Sequence, residues 1–208
     1  MNPSRILADQ MVAQRTPAQP AVEPAAQPPH PFRFNREAFA RLAESGALGE
    51  RPRVELIFGE IVQMSPQNRR HANAVARLTK LLSGAVGPAY AVRVQLPLGI
   101  ADDQEPEPDL CVSPWPADLD ADHPATAPLV VEVADSSLAY DRETKVRVYA
   151  LAGVLEFWIV DVNGKVVEVH TEPAGDRYAN KRTARPGDAI AATAVAGLVV
   201  QVGEIFGS

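Results

Sequence analysis

A single cysteine, Cys111, excludes an internal disulfide framework and any multi-cysteine zinc or iron–sulfur centre. No apolar run approaches the ~20 residues that span a bilayer, so a transmembrane helix is not expected. Residues 1–30 hold no apolar segment long enough for a secretory signal, and a cytoplasmic location is the expectation. Positive charge is also short. Twenty Lys+Arg stand against 26 Asp+Glu, a formal net charge of −6. Residues 1–31 are neutral, with Arg5 and Arg15 against Asp9 and Glu23, so the excess falls on the remainder. A protein that grips duplex DNA through many phosphates usually presents a basic face, which disfavours strong nonspecific DNA binding here. Clustered carboxylates instead suit a divalent cation.

What is present fits one folded domain. The chain has 208 residues, 46% apolar and 22% charged, the proportions of a soluble globular protein. Residues 1–31 carry seven prolines among Ala and Gln and read as a disordered tail, since such a segment buries too little to offset its ordering entropy. The folded domain is expected over residues 32–208. Asn35 caps a helix that Gly46 ends. The β-rich run from Val54 to Met64 holds Gly59 as a hairpin turn or a bulge. Arg69 to Leu82 shows a helical stripe, closed by Gly84 and Gly87-Pro88.

Ala91 to Leu98 alternates as a strand, and a short strand follows around Asp109 to Val112. Pro128 to Ala134 is apolar on both faces apart from Glu132, the pattern of a central buried strand. Asp141 can cap a helix running to Ala152, ended by Gly153. Leu155 to Asp161 forms another apolar strand, and Asn163-Gly164 signals a hairpin whose return strand is Lys165 to Thr171. Strands near Tyr178 and Leu198–Val202 finish the chain. The fold class is α/β: a mixed sheet with helices packed on it and additional β-hairpins.

Three residues break the apolar pattern. Glu132 sits within the most hydrophobic strand, Asp109 opens a short strand after Glu107-Pro108, and Lys145 shares a helical stripe with Val148, Tyr149 and Ala152. A buried charge is costly unless paired or bound to metal. Two carboxylates and a lysine suit phosphodiester hydrolysis, in which the carboxylates hold Mg2+ and the lysine positions water or stabilises developing charge. Glu132 and Lys145 could equally form a structural ion pair, and Asp109 could be a strand-end residue. On the residues alone the reading stops at a candidate metal site.

Several blocks resemble the Uma family of putative restriction endonucleases, within the PD-(D/E)XK nuclease superfamily. They are Glu55-Leu56-Ile57-Phe58-Gly59-Glu60-Ile61 with Met64-Ser65-Pro66, Arg70-His71, Pro108-Asp109-Leu110, Val131-Glu132-Val133, and the long block from Tyr140 to Asp161. The resemblance covers residues 34–206 and implies a restriction-endonuclease-like mixed sheet flanked by helices. Carried over, Pro108-Asp109 matches the first metal-binding motif and Glu132 the second acid, with the Val133 carbonyl as a further ligand. In many members the lysine stands two residues after that glutamate, where this chain has Ala134. In the Uma pattern it moves to the next helix, and Lys145 matches that place.

The implied activity is a Mg2+-dependent endonuclease, with Mn2+ as a substitute metal, acting on nucleic acid, DNA in the first instance. Arg69, Arg70 and Arg142 are the candidate phosphate contacts. They are few, which fits weak or partner-assisted binding. Glu60 is a candidate supporting acid, or an exposed residue beside a turn. His71 is a candidate cleft residue, or a solvent-facing or capping one. Tyr149 and Trp158 read as core rather than base-stacking platforms. A homodimer would bring two sites to two strands. The contrasting reading is a non-catalytic module that keeps the nuclease fold and binds protein partners, because fold alone does not imply function.

Overall fold

The computed structural model describes residues 30–49, 53–116, 118 and 120–207. The tail expected over residues 1–31 lies, apart from its last two residues, outside the described residues. In chain order the elements are α1 (Arg36–Glu44), β1 (Val54–Ile57), β2 (Glu60–Gln63), α2 (Arg69–Ala85), β3 (Tyr90–Val94), β4 (Leu110–Pro114) and β5 (Leu129–Ala134). A helical segment comes next in three parts: α3 (Leu138–Tyr140), a π-helical turn (Asp141–Lys145) and α4 (Val146–Leu151). Then come β6 (Glu156–Asp161), β7 (Val166–Ala174), β8 (Arg177–Ala184), β9 (Ala189–Ala191), β10 (Val199–Gln201) and α5 (Val202–Phe206).

Six strands form one sheet in the order β3-β4-β5-β6-β7-β8, and β1-β2 and β9-β10 form two small antiparallel sheets. Only β5 and β6 of the six-stranded sheet run parallel, and the α3–α4 segment is the crossover between them. Every residue of β5 and β6 is buried, as the apolar runs predict. Alternation divides the core in two. Leu110, Val112, Leu129, Val131, Val133, Trp158 and Val160 pack with Val75, Leu78 and Leu82 of α2 and Ile205 of α5. Cys111, Val130, Phe157 and Ile159 face the other way, onto Val148 and Tyr149 of α4. The central strands are therefore covered on both sides, a mixed sheet flanked by helices.

Local signals explain most boundaries. Asn35 and Asn68 cap α1 and α2, their side chains accepting from Ala38 N and from Arg70 N and His71 N. Gly59 makes a two-residue hairpin: Phe58 and Gly59 both have positive φ (50° and 74°), as a type I′ turn requires. Four expectations need correction. Gly84 does not close α2, which runs on to Ala85, because packing of its buried stripe outweighs one glycine's propensity. The strand expected to reach Leu98 stops at Val94, where Gln95 turns to φ 51°. Asp141 is not a cap; the helical segment starts at Leu138, and Asp141 lies inside it, buried. The Asn163-Gly164 hairpin forms, but Asp161 pairs with Val166, and the positive φ falls on Lys165 (49°). The short β9 and the terminal α5 had no clear sequence signal.

Candidate active site

The register of β4 and β5 brings the two predicted acids together. Leu110 pairs with Val131 in this antiparallel ladder, so one further step sets Asp109 opposite Glu132. Alternation then puts both on the face turned toward α4. Asp109 N donates to Glu132 Oε2 at 3.3 Å, and Val133 N donates to Asp109 Oδ2 at 2.9 Å. Gln95 Nε2 reaches Asp109 Oδ1 at 3.3 Å. The left-handed turn at Gln95, which ends β3 early, therefore supplies a side chain to the site.

Lys145, the last residue of the π turn, donates from Nζ to Glu132 Oε1 at 2.9 Å and to Glu55 Oε1 at 2.6 Å. Four residues on, one helical turn, Tyr149 donates its hydroxyl to the same Glu132 Oε1 at 2.6 Å. Glu55 is held in turn by Glu107 N at 2.7 Å, and Leu56 bridges to Glu105, which pins β1 against the acidic loop. His71, in the first turn of α2, places Nε2 2.9 Å from Asp109 Oδ2. Its Nδ1 is buried without a hydrogen-bond partner among the described residues.

These groups border a cleft of about 320 Å³, lined by Glu55, His71, Asp109, Glu132, Asp141 and Lys145 with the segments around Met64 and Ser136. It lies where β5 ends and its crossover begins, the usual place for ligands in sheets with parallel strands. Asp141 accepts from Ser137 Oγ at 2.7 Å, and the Tyr140 hydroxyl is buried without a partner among the described residues.

Four carboxylates thus surround one ammonium. Burial pushes Glu132 up to about 8, with Asp109, Asp141 and Glu55 adding to the shift and Lys145 opposing it. Asp141 rises to about 6, again through burial, against the Ser137 hydroxyl and Lys145. Burial alone would lower Lys145. The charges and hydrogen bonds of Glu132 and Glu55 overcome it and hold the ammonium above the usual lysine range. With all groups ionised the cluster carries an excess of negative charge, and a hard divalent cation is the species that oxygen donors of this kind accept. Among the described residues no three His, Cys, Asp or Glu side chains form a ready ligand set. A Mg2+ ion there would complete its shell with main-chain, water and substrate oxygens. The donor chemistry fits such an ion on those terms.

Of the residues singled out in the sequence, Asp109, Glu132, Lys145, Val133 and His71 come together in the cleft. Glu60 does not. It is exposed at the hairpin, paired with Arg33, and faces a neighbouring cavity. The three arginines do not line the cleft either. Arg142 turns toward β7 and donates twice to Glu168, Arg70 donates to Asn163, and Arg69 is exposed. Arg53 lines the cleft in their stead. Trp158 is core, as expected, whereas Tyr149 is both core and a partner of Glu132. Glu55 was missed as a site residue, and its only signal was a charge inside the β-rich opening run.

The fold has solved counterparts. A crystal structure of a putative nuclease of the DUF820 family from Anabaena variabilis superposes with a TM-score of 0.66 at 17% identity, over 84% of this chain and 98% of that one. The search of curated proteins gave no match. Among the described residues no helix is long and apolar enough to cross a membrane. A family model described as a putative restriction endonuclease, Uma2, matches residues 36–203, a span that runs from α1 to α5 and includes every residue of the cleft. The chain belongs to the Uma2 family of putative restriction endonucleases.

Proposed function

We propose that the protein is a divalent-metal-dependent endonuclease, with Mg2+ as the working ion and Mn2+ as its substitute, whose cleft hydrolyses a nucleic-acid phosphodiester, DNA first among the substrates. The observation that carries this reading is Lys145 Nζ. It donates to Glu132 and Glu55 at 2.9 and 2.6 Å, and an ammonium has three protons. The third is left for a water or a phosphate oxygen in the cleft, which Lys145 and Asp109 both line.

Asp109, Glu132 and the Val133 carbonyl would hold the metal, which when bound supplies Lewis acidity and an activated water. Lys145 orients the nucleophile and stabilises charge developing on the phosphate. Tyr149 and Glu55 fix the rotamers of Glu132 and Lys145, and His71 fixes Asp109. A homodimer would place two such clefts on the two strands of a duplex, a state that sedimentation with and without DNA reports.

The test is cleavage of supercoiled plasmid and single-stranded DNA with Mg2+ or Mn2+. Asp109→Asn and Lys145→Met should each lower the rate per folded molecule by roughly 10²–10³-fold. Lys145→Met should also destabilise the fold by ~3–5 kcal/mol, since two carboxylates lose their buried cation, so Asp109→Asn carries the activity arm. Wild-type cleavage that Asp109→Asn leaves untouched would overturn the reading. One observation favours the second reading, a non-catalytic module that binds protein partners: Lys145, Glu132, Glu55 and Tyr149 are hydrogen-bonded to one another without any ligand. That reading requires no cleavage by wild type with either metal, and no Mg2+ or Mn2+ heat in calorimetry that Asp109→Asn removes.

A further inference from the structure

A further cavity lies on another side of the cleft. Arg70, Arg77 and Lys165 border a basin of about 550 Å³ whose apolar lining includes Val162 and Phe206. Among the described residues no carboxylate lines it, in a chain with a formal charge of −6. Arg70 and Arg77 stand seven residues apart on α2, two turns along one face, or about 10 Å. That spacing equals about three base-pair rises of 3.4 Å.

The two arginines are held in position. Arg77 Nη1 donates to the Glu204 carbonyl at 3.1 Å, and its guanidinium packs on Gly207, where an added Cβ would lie 2.9 Å from Nη2. Among the described residues this is one hydrogen bond from a fork of five donors, and Arg77 remains exposed along the basin. Arg70 Nη1 donates to Asn163 Oδ1 at 3.1 Å. Lys165 is exposed at the end of the β6–β7 turn.

The basin and the cleft share a wall. Asn163 Nδ2 donates to the main-chain oxygen and Oδ1 of Asp135, at 2.8 and 2.9 Å. Asp135 accepts from Asn68, and both residues line the cleft. A polymer lying in the cleft and leaving past the N-terminus of α2 meets Arg70 first, then Arg77 and Lys165.

We propose that this basin binds the phosphodiester backbone of the nucleotides flanking those in the cleft, with Arg77 and Lys165 as phosphate contacts alongside Arg70. The inference rests on the nuclease reading for its ligand, but it is a binding statement and can be tested without catalysis. Phosphate contacts of this kind position the substrate and carry no sequence information.

The experiment is fluorescence anisotropy of a fluorescein-labelled DNA duplex with the full chain in EDTA across a salt series, with plasmid cleavage in Mn2+ run in parallel. Lys165→Asn and Arg77→Gln should each weaken binding roughly three- to fivefold and lower the slope of log K against log salt by about one. Lys80→Gln, which removes an exposed charge outside the basin, should change neither. Arg77→Gln can loosen α5, so Lys165→Asn decides, because asparagine tolerates the positive φ of that turn. Wild-type affinity and slope in Lys165→Asn overturn the basin, and intact cleavage then leaves the nuclease reading standing. Basin-sensitive binding with no cleavage by wild type keeps the basin and overturns the endonuclease. A wild type that fails to bind the duplex at low salt overturns the basin outright.

Discussion

Two buried glutamates occupy neighbouring strands of the same sheet, and their surroundings differ in kind. Glu156, at the start of β6, is fully buried and receives Trp158 Nε1, Thr193 N, Thr193 Oγ1 and Ala194 N at 2.6–3.1 Å. Its donors are neutral, and they tie the segment between β9 and β10 to the sheet. Glu132, in β5, has an ammonium and a phenol on one oxygen, three further carboxylates nearby, and a cavity in front. Burial of a carboxylate therefore does not by itself mark a site. Glu156 is satisfied by dipoles and closed off. Glu132 sits in a surplus of like charge at an opening, an arrangement that stability alone does not require.

Charge removal at the two positions should separate them most sharply. Glu132→Gln keeps the shape, lets Tyr149 and Lys145 still donate to Oε1, and removes one of the repelling carboxylates, but sets its NH2 against Asp109 N. These effects oppose one another, so thermal stability should stay close to wild type while cleavage falls by roughly 10²–10³-fold. Glu156→Gln presents an amide NH2 to groups that, apart from the Thr193 hydroxyl, only donate. It should cost ~2–3 kcal/mol in a denaturant titration and leave cleavage per folded molecule intact. The reverse pattern would break the contrast. A smaller effect is expected from Tyr149→Phe, which removes one donor from Glu132 Oε1 and should cost ~1–2 kcal/mol with the ring packing on Phe157 retained.

The smallest effect concerns pH, at a third place. Burial between Phe157 and Tyr178, with Lys181 adding to it and Glu168 opposing, holds His170 below its ordinary pKa of about 6.5. The unfolded chain then binds the proton more tightly than the folded one. Stability from neutral His170 is full above about 6.5 and is lost as pH falls below it toward the depressed folded value. Glu132 and Asp141, raised by burial, change stability in the opposite direction over the same range, so the readout is a difference: the melting temperature of wild type relative to His170→Phe should decline as pH falls through this window. Glu168 is also depressed, by Arg142 and Lys181 against its burial, and its contribution disappears only at lower pH, below the ordinary glutamate range.

The sheet and most of the site were legible because their signals are local. Glu132 announces itself as one charge in an apolar run, and Lys145 as one charge in an apolar stripe. Asp109 needs the strand register to meet Glu132, but its position at a strand start suffices to suggest it. Glu55 was not legible. In Val54-Glu55-Leu56-Ile57 it reads as the outward residue of a strand, and its burial comes from Lys145, ninety residues away in sequence. The arginines read as phosphate contacts lie outside the cleft for a related reason, since sequence gives their proximity to a motif but not the partner each meets: Glu168 holds Arg142 against β7, and Asn163 holds Arg70 at the rim of the neighbouring basin. The capping role read for Asp141 failed because Ser137, four residues earlier, begins the helical segment and donates to its carboxylate.

The π-helical turn between Asp141 and Lys145 acts as a phase shifter in the crossover. A regular α-helix advances about 100° per residue, and the wider turn inserts an angular offset between α3 on one side and α4 on the other. Excising one residue there would rotate Asp141 and everything before it by about a quarter-turn relative to Tyr149. Lysine, tyrosine and the strand after them would keep their places, while the acid left the cleft. For comparing relatives, an apparent one-residue gap in this helix is then a structural event rather than alignment noise, and the identity of the residue facing the cleft must be read on each side of it separately.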